Sequence, residues 1–270
     1  MARDILDEII TYKRQEIAER KQAKPLDALK EELAKRHMPP VASMRRSLTE
    51  RPFGIISEFK RRSPSKDWIN REARATEVPL SYQENGAAAI SILTDSHFFA
   101  GENAFVSEAR AAGVTLPVLY KNFVIDEYQL YEARLSGASA VLLIAACLSV
   151  ERCNELNVLA HKLGMETLLE VHSEKELIYT QLYPDMVGVN NRNLGTFVTD
   201  VDNSFRLSKQ LPDNVCKVSE SGISRPETVA KLVRAGFNGF LIGETFMKTA
   251  NPGQALGSFI SDVKLCLRRP

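Results

Sequence analysis

Residues 54–59 read Gly-Ile-Ile-Ser-Glu-Phe, and seven further runs of the same kind follow. They are AISILT at 89–94, PVLY at 117–120, AVLLIA at 140–145, TLLEV at 167–171, MVGVN at 186–190, VCKVS at 215–219 and GFLIG at 239–243. Each is short, nearly continuous in apolar residues and rich in Val, Ile and Leu, as strands covered on both faces are. The stretches between them carry helix start signals at Pro79, Asp126, Ser149, Ser173 and Pro226. Gly86, Gly113, Gly137, Gly164 and Gly236 stand where such helices would stop. Eight strands alternating with helices predict a closed barrel or a doubly wound sheet. No GxGxxG follows any of the runs, so the dinucleotide fingerprint is missing. Polar residues recur at the strand ends, where barrels build their sites. The expectation is an α/β protein with a (β/α)8 TIM barrel.

Upstream of the first run the pattern is helical. Ile5, Leu6, Ile9, Ile10 and Ile17 recur at steps of three or four, Pro25 interrupts, and Leu26, Leu29 and Leu33 resume. Met38-Pro39-Pro40 ends the segment. Residues 1–48 are expected to form a helical extension packed on a barrel of residues 49–270, one domain in all. The length of 270 residues suits this, because such a barrel takes roughly 250.

The composition narrows the class of partner. A net charge of +1 offers no field for nucleic acid or an anionic membrane. The longest apolar run, Ala140 to Leu148, is far short of the ~20 residues that span a bilayer. The first twenty residues are charged throughout, unlike a secretory leader. Cys147, Cys153, Cys216 and Cys266 form no CxxC pair and read as reduced thiols, so a cytoplasmic location is expected. His37, His97, His161 and His172 have no metal-ligand spacing, and no metal is expected.

The strand ends collect charge. In order they give Glu58 and Lys60, then Thr94 and Asp95, then Lys121, then nothing polar at Ile144 and Ala145, then Glu170. The last three give Asn190, Asn191 and Arg192, then Glu220, Ser221 and Gly222, then Gly243 and Glu244. Any one of these fits a salt bridge at the rim. Glu58, Glu170 and Glu220 together with Lys60, Lys121 and Arg192 over one barrel mouth fit an acid–base site better. Ser221-Gly222 and Gly243-Glu244 follow the last two strands, where barrels often bind phosphate through backbone N–H groups. Glycine there lets the backbone approach closely.

Six local sequences then resemble one family, in order along the chain. Glu58-Phe-Lys60-Arg-Arg-Ser63-Pro-Ser-Lys resembles its EIKRASPSKG signature, Leu93-Thr-Asp with Phe98-Phe99 its LTDxxFF, and Pro117-Val-Leu-Tyr-Lys121-Asn-Phe123 its PVLRKDF. Leu169-Glu170-Val-His172 is similar to LVEVH, Gly188-Val-Asn190-Asn-Arg192-Asn-Leu194 to GINNRDL, and Ser219-Glu220-Ser221-Gly222-Ile to SESGI. The family is indole-3-glycerol-phosphate synthase, of tryptophan biosynthesis. The resemblance implies a carboxy-lyase that closes, decarboxylates and dehydrates 1-(2-carboxyphenylamino)-1-deoxyribulose 5-phosphate without a cofactor. It implies a phosphorylated small-molecule substrate and a monomer or weak homo-oligomer, and leaves open association with other tryptophan-pathway enzymes.

The roles follow from the resemblance. Lys121 would protonate the ribulose carbonyl oxygen, and a lowered pKa would make it a better acid. Lys60 would hold the anthranilate carboxylate, with Arg192 beside it. Glu170 would transfer a proton near the departing hydroxyl. Glu58 and Glu220 would orient lysines or substrate, and Asn190 would hydrogen-bond the sugar. Which lysine serves dehydration stays open. Ser63, Ser221, Gly222, Gly243 and Glu244 would surround the phosphate, and Phe99, Phe123, Leu142, Ile144 and Leu194 the aromatic ring. Four residues depart from the family pattern or strain it. Asn122 replaces an aspartate beside the proposed acid, Arg62 a small residue and Asp67 a glycine, and the charge of Glu244 would oppose phosphate unless it points away. Trp68 would cap the site or pack on the surface. Two other readings share these residues: a different phosphate-binding barrel such as an isomerase, and a weakly active barrel serving as a binding subunit.

Overall fold

A computed structural model describes residues 5–193 and 198–268. Its eight parallel strands are β1 (Gly54–Phe59), β2 (Ala89–Leu93), β3 (Val118–Lys121), β4 (Ala140–Ile144), β5 (Glu166–Val171), β6 (Met186–Asn190), β7 (Cys216–Glu220) and β8 (Gly239–Ile242). Each pairs with the next, and β8 closes on β1 with Gly54 beside Gly239 and Ile56 beside Leu241. The expected strands differ from these by a residue or so at their ends. Strand β4 stops at Ile144 because Ala145–Cys147 tightens into a 3-10 turn.

The two-residue period of a strand decides what enters the barrel. Ile56, Leu119, Leu142, Leu168, Met186, Val218 and Leu241 face inward and pack together. Ile55, Tyr120, Leu143, Leu169, Val187 and Phe240 face outward into the main core under the helices. Counting two residues on from the inner set gives Glu58, Lys121, Glu170 and Glu220. The carboxylates and the lysine are therefore inward-facing at the top of the barrel by register alone.

The helices are α1 (Ile5–Ala23), α2 (Leu26–Lys35), α3 (Met44–Thr49), α4 (Val78–Glu84), α5 (Ser96–Phe99), α6 (Ala104–Ala111), α7 (Glu127–Ser136), α8 (Val150–Lys162), α9 (Asp202–Ser208), α10 (Pro226–Arg234), α11 (Glu244–Met247) and α12 (Pro252–Arg268). Asp126 caps α7 by accepting from the Tyr128 amide at 2.9 Å, and Ser149 caps α8 by accepting from Arg152 at 3.2 Å. The Ser173 signal led to a different element. Residues Glu174–Leu182 form a 3-10 run, and the Ser173 side chain makes no capping bond. The stretch Ile178-Tyr179-Thr180 is β-branched and aromatic, which weakens the α-helix. A short ribbon, Arg62–Ser63 against Asp67–Trp68, follows β1 and has no counterpart in the sequence reading.

The N-terminal helices grip both ends of the barrel. At the bottom, Met44 and Leu48 of α3 enter the inner cluster, and Glu166 accepts hydrogen bonds from the Met44 and Arg45 amides at 2.6 and 2.9 Å. An acidic side chain at a helix start is favourable. Along the side, Tyr128 of α7 donates its hydroxyl to the carbonyls of Arg20 and Lys24, and Arg20 pairs with Glu132 at 3.1 Å. At the top, Lys13 is fully buried, 2.7 Å from Asp95 and 2.5 Å from Glu16. Asp95 follows the end of β2 as expected, but it lies beneath α1, outside the cleft lining, and caps α5 through the Phe98 amide at 2.7 Å. Among the described residues no helix is long and apolar enough to cross a membrane.

Candidate active site

The top of the barrel opens into a cleft of about 460 Å³. Its floor is built by the strand ends. Lys121 Nζ lies 3.1 Å from Glu220 Oε2 and 3.5 Å from Glu58 Oε2, and Lys60 Nζ lies 2.5 Å from Glu58 Oε1. Glu58 thus stands between two ammonium groups, and Lys121 stands between two carboxylates.

Burial would raise the pKa of Glu58, but Lys60 and Lys121 outweigh it and hold the carboxyl low. Glu220 goes the other way. Burial raises it, Lys121 opposes, and repulsion from Glu170 and Glu58 adds to the rise. Burial alone would lower Lys121, yet Glu220, Glu58 and Glu170 together lift it above the ordinary lysine range. The expected lowering of Lys121 is therefore overturned. The flanking carboxylates favour the ammonium more than desolvation disfavours it, so the surroundings hold Lys121 protonated.

Glu170 is held low. Burial opposes this, and His172, Lys121 and Asn190 outweigh burial. Asn190 accepts the Arg192 amide at 3.0 Å, and the Arg192 guanidinium donates to Ser65 at 2.8 Å. Ser63 lies 3.5 Å from Ser65 by their hydroxyl oxygens. The apolar wall is formed by Phe99 and Phe123, whose rings are 6.2 Å apart, with Leu142 and Ile144 beneath. Leu194, expected in this wall, lies outside the described residues.

At the opposite end of the cleft, Ser221 and Gly222 both take left-handed backbone angles, φ 68° and 73°. Gly243, Glu244, Lys66 and Lys248 also line the cleft, with Gly243 directly against Glu58. Glu244 lies 4.0 Å from Lys66 Nζ, so a cation stands beside the charge that would oppose phosphate.

The residues that depart from the family pattern are each held by local contacts. Asn122 follows Lys121 but has the opposite strand parity. Its amide donates to Thr94 Oγ1 at 2.9 Å, and its carbonyl accepts the Phe123 amide at 2.9 Å. Its side chain is engaged with the barrel wall, and the residue borders the cleft beside Lys121. Arg62 donates to the carbonyls of His97 and Phe98 and so ties the ribbon to α5. Asp67 takes a left-handed φ of 55°, which aspartate tolerates better than most residues. Trp68 is stacked among Arg61, Arg62 and Arg71 and is not part of the cleft lining.

Five contributors were missed. Ile5, Leu6 and Ile9 of α1 reach over the cleft, and Lys248 lines it. The apolar periodicity of α1 showed that it packs, not where. Lys248 carried no signal. His172, discounted as scattered, lies 3.2 Å from Glu170, and its place two residues after that glutamate was the available clue.

A model of the indole-3-glycerol phosphate synthase family matches residues 6–259. An indole-3-glycerol phosphate synthase of Bacteroides thetaiotaomicron is 54% identical over 262 residues, covering 97% of this chain and 100% of that protein. One from a Polaromonas species is 43% identical over 256 residues, covering 94% and 97%. Among solved structures, KGPDC from Streptococcus mutans superposes with a TM-score of 0.62 at 10% identity, over 79% of this chain and 98% of that one. The 3-hexulose-6-phosphate synthase of Salmonella typhimurium gives 0.61 at 13%, over 79% and 100%. These two likenesses show the barrel alone. With the family model spanning the barrel and most of α1, the chain belongs to the indole-3-glycerol phosphate synthase family.

Proposed function

We propose that this chain converts 1-(2-carboxyphenylamino)-1-deoxyribulose 5-phosphate to indole-3-glycerol phosphate, carbon dioxide and water. The observation that carries the reading is Lys121 held between Glu220 and Glu58, with Lys60 on the other oxygen of Glu58, facing an apolar wall. The substrate has the matching layout: an aromatic carboxylate at one end, a phosphate at the other and a carbonyl between.

In this reading the aromatic ring lies against Phe99, Phe123, Leu142 and Ile144. Its carboxylate meets Lys60 and Arg192. The phosphate lies at Ser63, Ser221, Gly222, Gly243 and Glu244, with Lys66 and Lys248 supplying positive charge. Lys121 donates its proton to the carbonyl oxygen as the ring carbon attacks, so the new carbon–carbon bond forms without a free alkoxide. Loss of carbon dioxide then restores aromaticity. Departure of the hydroxyl as water leaves the indole, with Glu170 taking part in the proton transfer and Asn190 holding the sugar. Glu58 and Glu220 orient the lysines. No cofactor enters these steps. The reading places the enzyme in the cytoplasm, as a monomer or weak homo-oligomer, with residues 1–48 an extension of the barrel.

A fluorescence assay for the indole product with the purified chain tests this directly. Product formation that disappears in Lys121→Ala, with substrate binding retained, is expected. Full turnover in that variant overturns the role of Lys121, and absence of both binding and product overturns the substrate.

A further inference from the structure

Three glutamates reach the floor of the cleft, and they are not neutralised alike. Glu58 has Lys60 and Lys121 within 4 Å, and Glu220 has Lys121. Among the described residues no lysine or arginine lies within 4.0 Å of Glu170. Its near basic group is His172, Nε2 to Oε1 3.2 Å, in a contact that lacks hydrogen-bond alignment, both ring nitrogens being buried without a hydrogen-bond partner. The two residues share strand parity on either side of Val171, so at the end of β5 both point the same way.

His172 is itself held. Its other ring nitrogen, Nδ1, lies 3.6 Å from Glu176 Oε2, and its backbone N–H donates to that oxygen at 2.5 Å. Its carbonyl accepts from Asn203 Nδ2 at 3.2 Å, and the same amide donates to the Asn190 carbonyl at 3.1 Å. One side chain thereby joins the ends of β5 and β6, which carry Glu170 and Asn190. The 3-10 run after β5 serves this arrangement, because it brings Glu176 back over His172.

We propose that His172, gripped by Glu176, is a positioning residue that keeps the Glu170 carboxylate in place and ionised for proton transfer. This rests on the assignment of Glu170 made above. The surroundings agree with it. Burial would lower the pKa of His172, and Glu170 and Glu176 outweigh burial and raise it to about 10. The other groups facing this cluster are Lys121 and Glu220 across the barrel and the Cys147 thiol, whose pKa burial pushes up. The Arg206–Glu174 pair at 3.8 Å lies on its outer side. None of these offers a second cation closer to Glu170.

Two measurements test it. The imidazole of His172 is titrated by NMR in the ligand-free protein, its resonance assigned from His172→Gln. A midpoint near 10 is expected, falling by about one unit or more in Glu176→Gln. A midpoint at the ordinary histidine value of about 6.5 overturns the proposal whatever the enzyme's substrate. In the indole assay, His172→Gln is expected to move the acid limb of kcat/KM up by about 1–3 pH units, with KM little changed, and His172→Lys to move it back. A uniform loss of activity with an unmoved limb assigns His172 a merely structural role and overturns it. If the wild-type chain fails to turn over, the titration still decides the geometry and the failure belongs to the functional reading.

Discussion

Gly243 stands against Glu58 with no room for a methyl group between them. A β-carbon at position 243 would sit 3.0 Å from Glu58 Cδ and closer still to Oε1. The φ of Gly243 is −122°, an angle any residue adopts, so the glycine is required by its neighbour and not by its own backbone. Gly188 has the same relation to Glu220, meeting its Oε1 first and its Cδ at 3.1 Å. Both carboxylates of the Lys121 cage are thus seated over glycines on neighbouring strands.

Gly243→Ala is expected to push Glu58 away from Lys60. A displacement of about 1 Å in a catalytic group costs on the order of 100-fold in rate, whereas the overpacking itself costs about 1–3 kcal/mol of stability. Steady-state kinetics beside urea unfolding separates the two. A variant with normal kcat shows that Glu58 tolerates the shift and that its position is not rate-determining.

Glu220→Gln removes the carboxylate nearest Lys121 and leaves its burial unchanged. Since Glu220 is the strongest influence holding Lys121 above the ordinary lysine range, the lysine should lose its proton at lower pH. The alkaline limb of the kcat/KM profile is expected to move down. A limb that stays in place means Lys121 is not the group titrating there.

Lys13→Met leaves Asp95 and Glu16 without their shared cation in a buried place. Removing one partner of a buried ion pair costs about 3–5 kcal/mol. Lys13→Met combined with Asp95→Asn should recover much of this, because asparagine carbonyl oxygen can still cap α5 at the Phe98 amide. Chemical denaturation of the single and double variants measures the difference, and equal destabilisation of both would show that the pair contributes little.

These residues also show what could be read before any coordinates. GIISEF fixes its own strand, its inward glutamate and, by parity, the partners on the other strands, since a two-residue period leaves no freedom once one position faces in. The apolar wall at Phe123, Leu142 and Ile144 came from the family resemblance, and the same inward parity accounts for it. The partner of Asp95 was not legible, because the sequence cannot show that a lysine 82 positions earlier arrives above it, a contact made only by the docking of α1. His172 was passed over because it was judged for metal spacing, whereas its partners are carboxylates. The reach of Ile5, Leu6 and Ile9 over the cleft depends on how a whole helix lies, which periodicity does not encode.

His172 also links folding to pH. Its folded pKa, about 10, lies above the ordinary value of about 6.5. The proton it binds therefore stabilises the fold fully below about pH 6.5, and that stabilisation is lost as pH rises through about 10. Between these limits the urea midpoint should fall more steeply with pH in the wild-type chain than in His172→Gln. Parallel curves would show that the imidazole gains no proton affinity on folding.

The bonds that fasten α1 have a consequence for how the chain is made. Arg20 reaches Glu132 across 112 positions, and Lys21 reaches Asp126 across 105. During synthesis at about 5–20 residues per second, α1 leaves the ribosome on the order of ten seconds before α7 exists to receive it. For that interval Ile9, Ile10 and Ile17 have no barrel to cover them, and the helix is held in solution by the charges between them. Its lysines and arginines thus serve twice, first as a solvating coat on a waiting segment and then as the anchors that seat it over the finished barrel.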